Sequence, residues 1–360
     1  GEALVGLEVP SPSPSKVHLR EVMETPIFNR ILAKGGLPIA LGQDTGGSPV
    51  VLDLASLPHM LIAGATGSGK SVCINSIVAS FLLTKTPEQL RILMVDPKRV
   101  ELTPFNGIPH LIGPVIVDPE EVNTALRGLI REMLGRYKLM EEVGARNIEG
   151  YNKEGYNKRT KDKMPFLVLI VDELADLMMV GGFEVEQNLV RLAQLGRATG
   201  IHLVLATQRP SVNVVTGLLK ANIPARAAFA VASQVDSRVI LDAVGAEKLL
   251  GKGDMLLLHN ASPKPSRVQG TLVYDQEIDH MVEFWLGQDG PPLPVIDVGE
   301  PEIDVDGDSV DASMMEEARE LAARNPQLSG SFLERRLKIG SGKATEVMEL
   351  LEEGGFLDTD

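Results

Sequence analysis

The chain has 360 residues, 44% of them apolar and only 4% aromatic, with a formal net charge of −14. This length exceeds one ordinary core, so two or three domains are expected, and the absence of a membrane-length apolar run or a secretory leader excludes a transmembrane reading of these residues. The charge does not exclude a nucleic-acid partner. Residues 296–312 carry −7 with no Lys or Arg, and residues 313–360 carry −4, so residues 1–295 carry only −3. The chain starts at Gly1 rather than Met, as expected of a fragment, and its single cysteine, Cys73, is expected as a small buried packing residue in a reducing compartment.

In chain order, residues 1–45 read as a small separate unit. A Ser/Pro alternation at 11–15 suits a surface connection, 19–33 is amphipathic, 37–41 is a strand candidate and 42–49 is a turn cluster. From 50 to about 284, strands and helices alternate, the pattern of a parallel sheet covered on both faces. Strands are expected at 60–63, 91–96, 166–171, 201–206, 227–232 and 254–258, and helices at 72–81, 120–144 and 183–198. Residues 151–163 are polar, rich in lysine and expected on the surface. Residues 289–312 are rich in Pro, Gly and Asp, and 291–312 is set apart as an acidic linker. Helical patterns at 313–325, 330–337 and 342–353 suit a helix-turn-helix unit.

Gly64-Ala65-Thr66-Gly67-Ser68-Gly69-Lys70-Ser71, followed by Val72, fits the G-x-x-x-x-G-K-[ST] phosphate-binding loop between a strand and a helix. Glycines let backbone N–H groups turn toward polyphosphate oxygens, and the helix adds the positive end of its dipole. Lys70 is expected to reach the β- and γ-phosphates of ATP, and the Ser71 hydroxyl to hold Mg²⁺. The apolar run at 166–171 closes on Asp172-Glu173. Asp172 is the expected Mg²⁺-holding acid and Glu173 the expected general base, although an acidic pair here could also cap the following helix. Gln208, at the end of the next strand, is the candidate sensor of the γ-phosphate.

The runs Asp96-Pro97-Lys98, Asp172-Glu173-Leu174-Ala175-Asp176-Leu177-Met178-Met179, Ala206-Thr207-Gln208-Arg209-Pro210-Ser211, Lys220-Ala221-Asn222-Ile223-Pro224 and Gly253-Asp254-Met255-Leu256 resemble the FtsK/SpoIIIE family of DNA translocases. The resemblance implies an α/β fold: a RecA-like P-loop NTPase motor of the ASCE class with a small N-terminal α domain and a C-terminal winged-helix domain. These map to 46–290, 1–45 and 313–360. It implies a homo-hexameric ring that pumps double-stranded DNA with ATP and Mg²⁺ in chromosome segregation and cell division. Arg197 matches the arginine sent into the neighbour's site, so it acts in trans. Arg209 and Lys220 match basic residues turned toward DNA, and Arg335, Arg336, Lys338 and Lys343 belong to the DNA-reading tail. That tail is also expected to meet recombination or division proteins. The fragment is expected to be cytoplasmic and free of membrane contact, its parent anchored in the bacterial inner membrane by a region outside these residues. Two other readings share the motor: a protein-translocating ATPase of the type VII secretion kind, and a conjugative DNA-transfer coupling ATPase.

Overall fold

The computed structural model describes residues 16–155, 163–259 and 262–290, with Ala318, Val347, Met348 and Leu351 beyond them. The chain divides into two compact units, Gly1–Val298 and Gly299–Asp360. In the second, the four described residues are helical, and Ala318, Val347 and Leu351 are buried. The rest of the expected linker and helix-turn-helix unit lies outside the described residues.

The first unit opens with β1 (Val17–His18), α1 (Leu19–Met23) and α2 (Pro26–Ala33). The amphipathic stretch 19–33 thus holds two helices. Pro26 sits at the first helical position of α2, and the residue before a proline avoids helical ψ, so Thr25 stands extended at φ −74, ψ 150. There follow β2 (Pro38–Asp44), β3 (Pro49–Asp53), β4 (Met60–Ala63), α3 (Lys70–Leu82), β5 (Leu90–Val95), α4 (Pro119–Glu142), the short α5 (Ile148–Gly150) and β6 (Phe166–Val171). The unit continues through α6 (Leu174–Thr199), β7 (Ile201–Thr207), α7 (Gly217–Asn222), β8 (Ala225–Phe229), α8 (Gln234–Leu241), β9 (Asp254–His259), β10 (Ser262–Leu272) and α9 (Asp275–Leu286).

All but β1 line up in one sheet in the order β3-β2-β10-β9-β8-β4-β7-β6-β5, and β1 pairs with β10. The central strands β8, β4, β7, β6 and β5 run parallel, as expected. The sheet as a whole is mixed, because β9, β10, β2 and β3 extend it antiparallel. The boundary expected at residue 45 falls in the turn between β2 and β3, which are hydrogen-bonded to each other, and β2 also pairs with β10.

The central strands read as unbroken apolar runs because both faces are covered. Alternation sends Met60, Ile62, Ile92, Met94, Val168 and Ile170 to one core with α3, α9 and the N-terminal helices. It sends Leu61, Ala63, Leu93, Val95, Leu167, Leu169 and Val171 to a second core with α4, α6 and α8. Tyr151, expected on the surface, is buried with Met140, Ile148 and Met164. Cys73 is buried as expected, and burial pushes its thiol up to about 12. Among the described residues no helix is long and apolar enough to cross a membrane.

Candidate functional site

β4 delivers the chain to a loop at 64–69, and α3 begins at Lys70. Gly67 and Gly69 have φ of 76 and 112, where an L side chain is strained. At Gly69 space is closed as well, since a Cβ would stand 2.5 Å from the Gly253 nitrogen. Gly64 donates its N–H to the Thr207 carbonyl at 3.2 Å, and Ala65 donates to that of Ala230 at 2.9 Å, tying the loop to neighbouring strands. Ala65, Thr66, Gly67, Gly69, Lys70, Ser71 and Val72 line a cleft of about 1650 Å³. Gly64 and Ser68 do not line it. They shape the loop from beneath.

A second turn, at 251–253, supports this loop and was not legible from the motif. Gly251, Lys252 and Gly253 all have positive φ. The Gly253 N–H donates to the Ser68 carbonyl at 2.9 Å, and Gln269 Nε2 donates to the Lys252 carbonyl at 3.0 Å. Three successive left-handed residues make the turn tight enough to abut the loop, and the Gly-Lys-Gly run was the available signal.

β7 lies between β4 and β6, which brings Gln208 between the phosphate loop and the acidic pair. Gln208 accepts from Thr66 Oγ1 at 3.0 Å, and its backbone N–H donates to Glu173 Oε1 at 3.1 Å. Lys70 Nζ pairs with Asp172 Oδ1 at 2.5 Å, both residues being buried. Glu173 is fully buried. It accepts from Thr207 Oγ1 at 2.6 Å and from Lys98 Nζ at 2.9 Å, and it also caps α6 by accepting from the Ala175 N–H. The capping contact weighed for this acid is therefore present. Burial alone would raise its carboxyl, but the Thr207 and Lys98 hydrogen bonds, the Lys98 charge and the Gln208 N–H outweigh that and hold it below the usual carboxylate range.

The residues 96–103 after β5 supply two groups to the same place. Lys98 meets Glu173, and Glu101 accepts from Ser71 Oγ at 2.6 Å. Asp96-Pro97-Lys98 carried the resemblance, but no residue spacing announced these two contacts.

Arg197 stands exposed in the last turn of α6, outside the cleft, its guanidinium without a hydrogen bond or ion pair among the described residues. Arg209 is exposed and its guanidinium touches Met179 Sδ at 3.7 Å. Lys220 pairs with Asp242 at 2.7 Å, an acid it shares with Arg226, so its charge is partly answered within the chain. Arg335, Arg336, Lys338 and Lys343 lie outside the described residues.

The residues present fit a magnesium–nucleotide. Gly64 and Gly69 keep the loop free of side chains that would collide with its supports, and the buried Asp172 Oδ2 has no hydrogen-bond partner, leaving an anionic oxygen for a cation. The central parallel strands, the loop between β4 and α3, and the acid pair closing β6 define a P-loop nucleoside triphosphatase. Solved structures agree. The conjugation coupling protein TcpA of pCW3, in its monomer form with ATPγS, superposes with a TM-score of 0.59 at 29% identity, covering 69% of this chain and 70% of that one. The cytoplasmic domain of the type VII secretion ATPase EccC of Thermomonospora curvata gives 0.64 at 26% identity, covering 75% of this chain and 33% of that one. The sequence profile of the FtsK/SpoIIIE family matches residues 19–212. DNA translocase FtsK of Clostridium acetobutylicum is 46% identical over 99% of this chain, and DNA translocase SftA of Bacillus subtilis is 46% identical over 99% of it. The chain belongs to the FtsK/SpoIIIE family. It spans 47% of the first of these relatives and 37% of the second.

Proposed function

We propose that this chain is the RecA-like motor of an ATP-driven double-stranded DNA translocase, working as a homo-hexameric ring in chromosome segregation and division. The observation that carries the reading is the insertion of β7 between β4 and β6, so that Gln208 bridges Thr66 of the phosphate loop and the buried Glu173. Lys70 exchanges Asp172 for the β- and γ-phosphates of ATP, and Ser71 with Asp172 holds Mg²⁺. When bound, Mg²⁺ neutralises charge on the phosphate oxygens. Glu173 takes the proton of the attacking water, and Gln208 carries the state of the γ-phosphate site to Thr66 and Glu173.

Arg197 precedes β7 and Gln208 follows it. The seven residues of that strand separate the two by roughly 23 Å, which supports action of Arg197 on a neighbouring subunit's nucleotide rather than its own. Such a finger is worth roughly 10³–10⁵ in rate. Arg209 and Lys220 follow the DNA backbone, and Arg335, Arg336, Lys338 and Lys343 belong to a winged-helix tail at 313–360 that reads DNA or meets recombination and division proteins. In this plan 1–45, 46–290 and 291–312 are the α domain, the motor and the acidic linker, and the parent protein is held at the bacterial inner membrane by residues outside this chain.

The test is ATP hydrolysis with and without long duplex DNA at low salt. DNA is expected to stimulate turnover, Lys70→Ala to abolish it, and Glu173→Gln to retain ATP binding while losing hydrolysis. The likeness to EccC favours a second reading, a protein-translocating ATPase; peptide-stimulated turnover without any response to DNA would select it.

A further inference from the structure

We propose that Glu101 is a positioning residue for Ser71, holding the serine hydroxyl in the one orientation that presents an oxygen lone pair to a cation. This rests on the magnesium–nucleotide reading above. A serine hydroxyl has one proton and two acceptor lone pairs. Here the proton is committed, because Oγ donates to Glu101 Oε1 at 2.6 Å, a short bond to a charged acceptor. With the proton turned to Glu101, both lone pairs face elsewhere, and a carboxylate accepting that proton makes the oxygen a better donor. Groups standing behind a metal ligand commonly act in this way, and losing one costs about 10–100-fold in metal affinity.

The placement of Glu101 is built into the backbone. Asp96, fully buried at the end of β5, accepts from the N–H groups of Leu102 and Thr103 at 2.9 and 3.2 Å and from Thr103 Oγ1 at 3.2 Å. Arg99 takes the left-handed region at φ 58 to let the chain fold back. Those three bonds fix the residues on the far side of Glu101, and the turn at Arg99 fixes the near side. Glu101 also lines the same cleft as Lys70 and Ser71. A carboxylate there could instead serve only to answer the positive end of the α3 dipole. The two roles separate experimentally, because only the first depends on Ser71.

The full 360-residue chain, saturated with a fluorescent ADP analogue, is titrated with Mn²⁺ while free Mn²⁺ is followed by electron paramagnetic resonance. Glu101→Ala is expected to raise the Mn²⁺ dissociation constant about 10–100-fold, with the affinity for metal-free analogue in EDTA changed less than about twofold. Glu101→Gln, which keeps an acceptor oxygen, is expected to fall between it and the parent. In Ser71→Ala the further change Glu101→Ala is expected to add nothing. An unchanged Mn²⁺ constant in Glu101→Ala, or a full additional loss on the Ser71→Ala background, overturns the proposal. Failure of the unaltered chain to bind the analogue in either condition would overturn the nucleotide reading instead.

Discussion

Glu173 shows how a single carboxylate can be buried and still remain ionised. Its two oxygens accept from Thr207, Lys98, Gln208 and Ala175, and these contacts outweigh the rise that burial imposes. A group with a depressed folded value stabilises the fold above the ordinary carboxylate range, and that contribution is lost as pH falls through the depressed value. The same sign governs its proposed work as a base, which requires the ionised form. In Lys98→Ala one hydrogen bond and one positive charge disappear, so the acid limb of the kcat profile for ATP hydrolysis should move to higher pH, while Lys98→Arg should leave it near its original place. An acid limb that does not move in Lys98→Ala would contradict this account. Glu173 was legible in the sequence as a candidate base, because an apolar strand closing on two acids downstream of a phosphate loop has few other uses. Lys98 was legible only as part of a resemblance, because its partner lies 75 residues away in the chain.

The element on which the proposed subunit coupling depends is α6. Its first turn is capped by Glu173, and its backbone departs from helical geometry at Gly181, where a Cβ would meet Asn123 Nδ2 at 2.7 Å. Its last turns are held from outside by three side chains. His59 lies 3.0 Å from the Ala193 carbonyl, Tyr137 donates to that of Leu195 at 2.8 Å, and the buried Arg136 donates to that of Thr199 at 2.9 Å. Arg136 also donates to the Pro165 carbonyl at 2.7 Å, so it ties α4, α6 and the start of β6 together. Arg197 therefore projects from a fixed mount. Replacing Arg136 by Leu leaves one buried and one part-buried carbonyl without this donor and should cost about 3 kcal/mol of unfolding free energy in a denaturant titration, whereas a loss under about 1 kcal/mol would show that the mount is redundant. The helix itself was expected only over 183–198; the start at Leu174 escaped because Gly181 and Gly182 interrupt a pattern that tertiary contacts with α4 restore.

Across the whole first unit, three histidines are buried and held neutral. Burial is the main cause, and it lowers His59 and His110 to about 4 and His202 to about 3, with nearby arginines adding to the effect. In the unfolded chain each titrates near its ordinary value, so acidification protonates the unfolded state first. Stability from these groups is therefore complete above about pH 6.5 and falls as pH drops toward 4. The melting temperature should be lower at pH 5 than at pH 7.5, and His202→Gln should reduce that difference; an equal difference in the variant would remove His202 from the account. At the same scale, the phosphate loop, the acid pair and the alternation of strands with helices were determined by the sequence alone, because each depends on residues close together in the chain and on a short menu of backbone conformations. Tertiary structure alone decided the antiparallel extension that stitches β2 to β10, the 251–253 turn beneath the loop, and the contacts of Lys98 with Glu173 and Glu101 with Ser71. Those join residues far apart in the chain, and which distant groups meet is settled only when both faces of the sheet are packed.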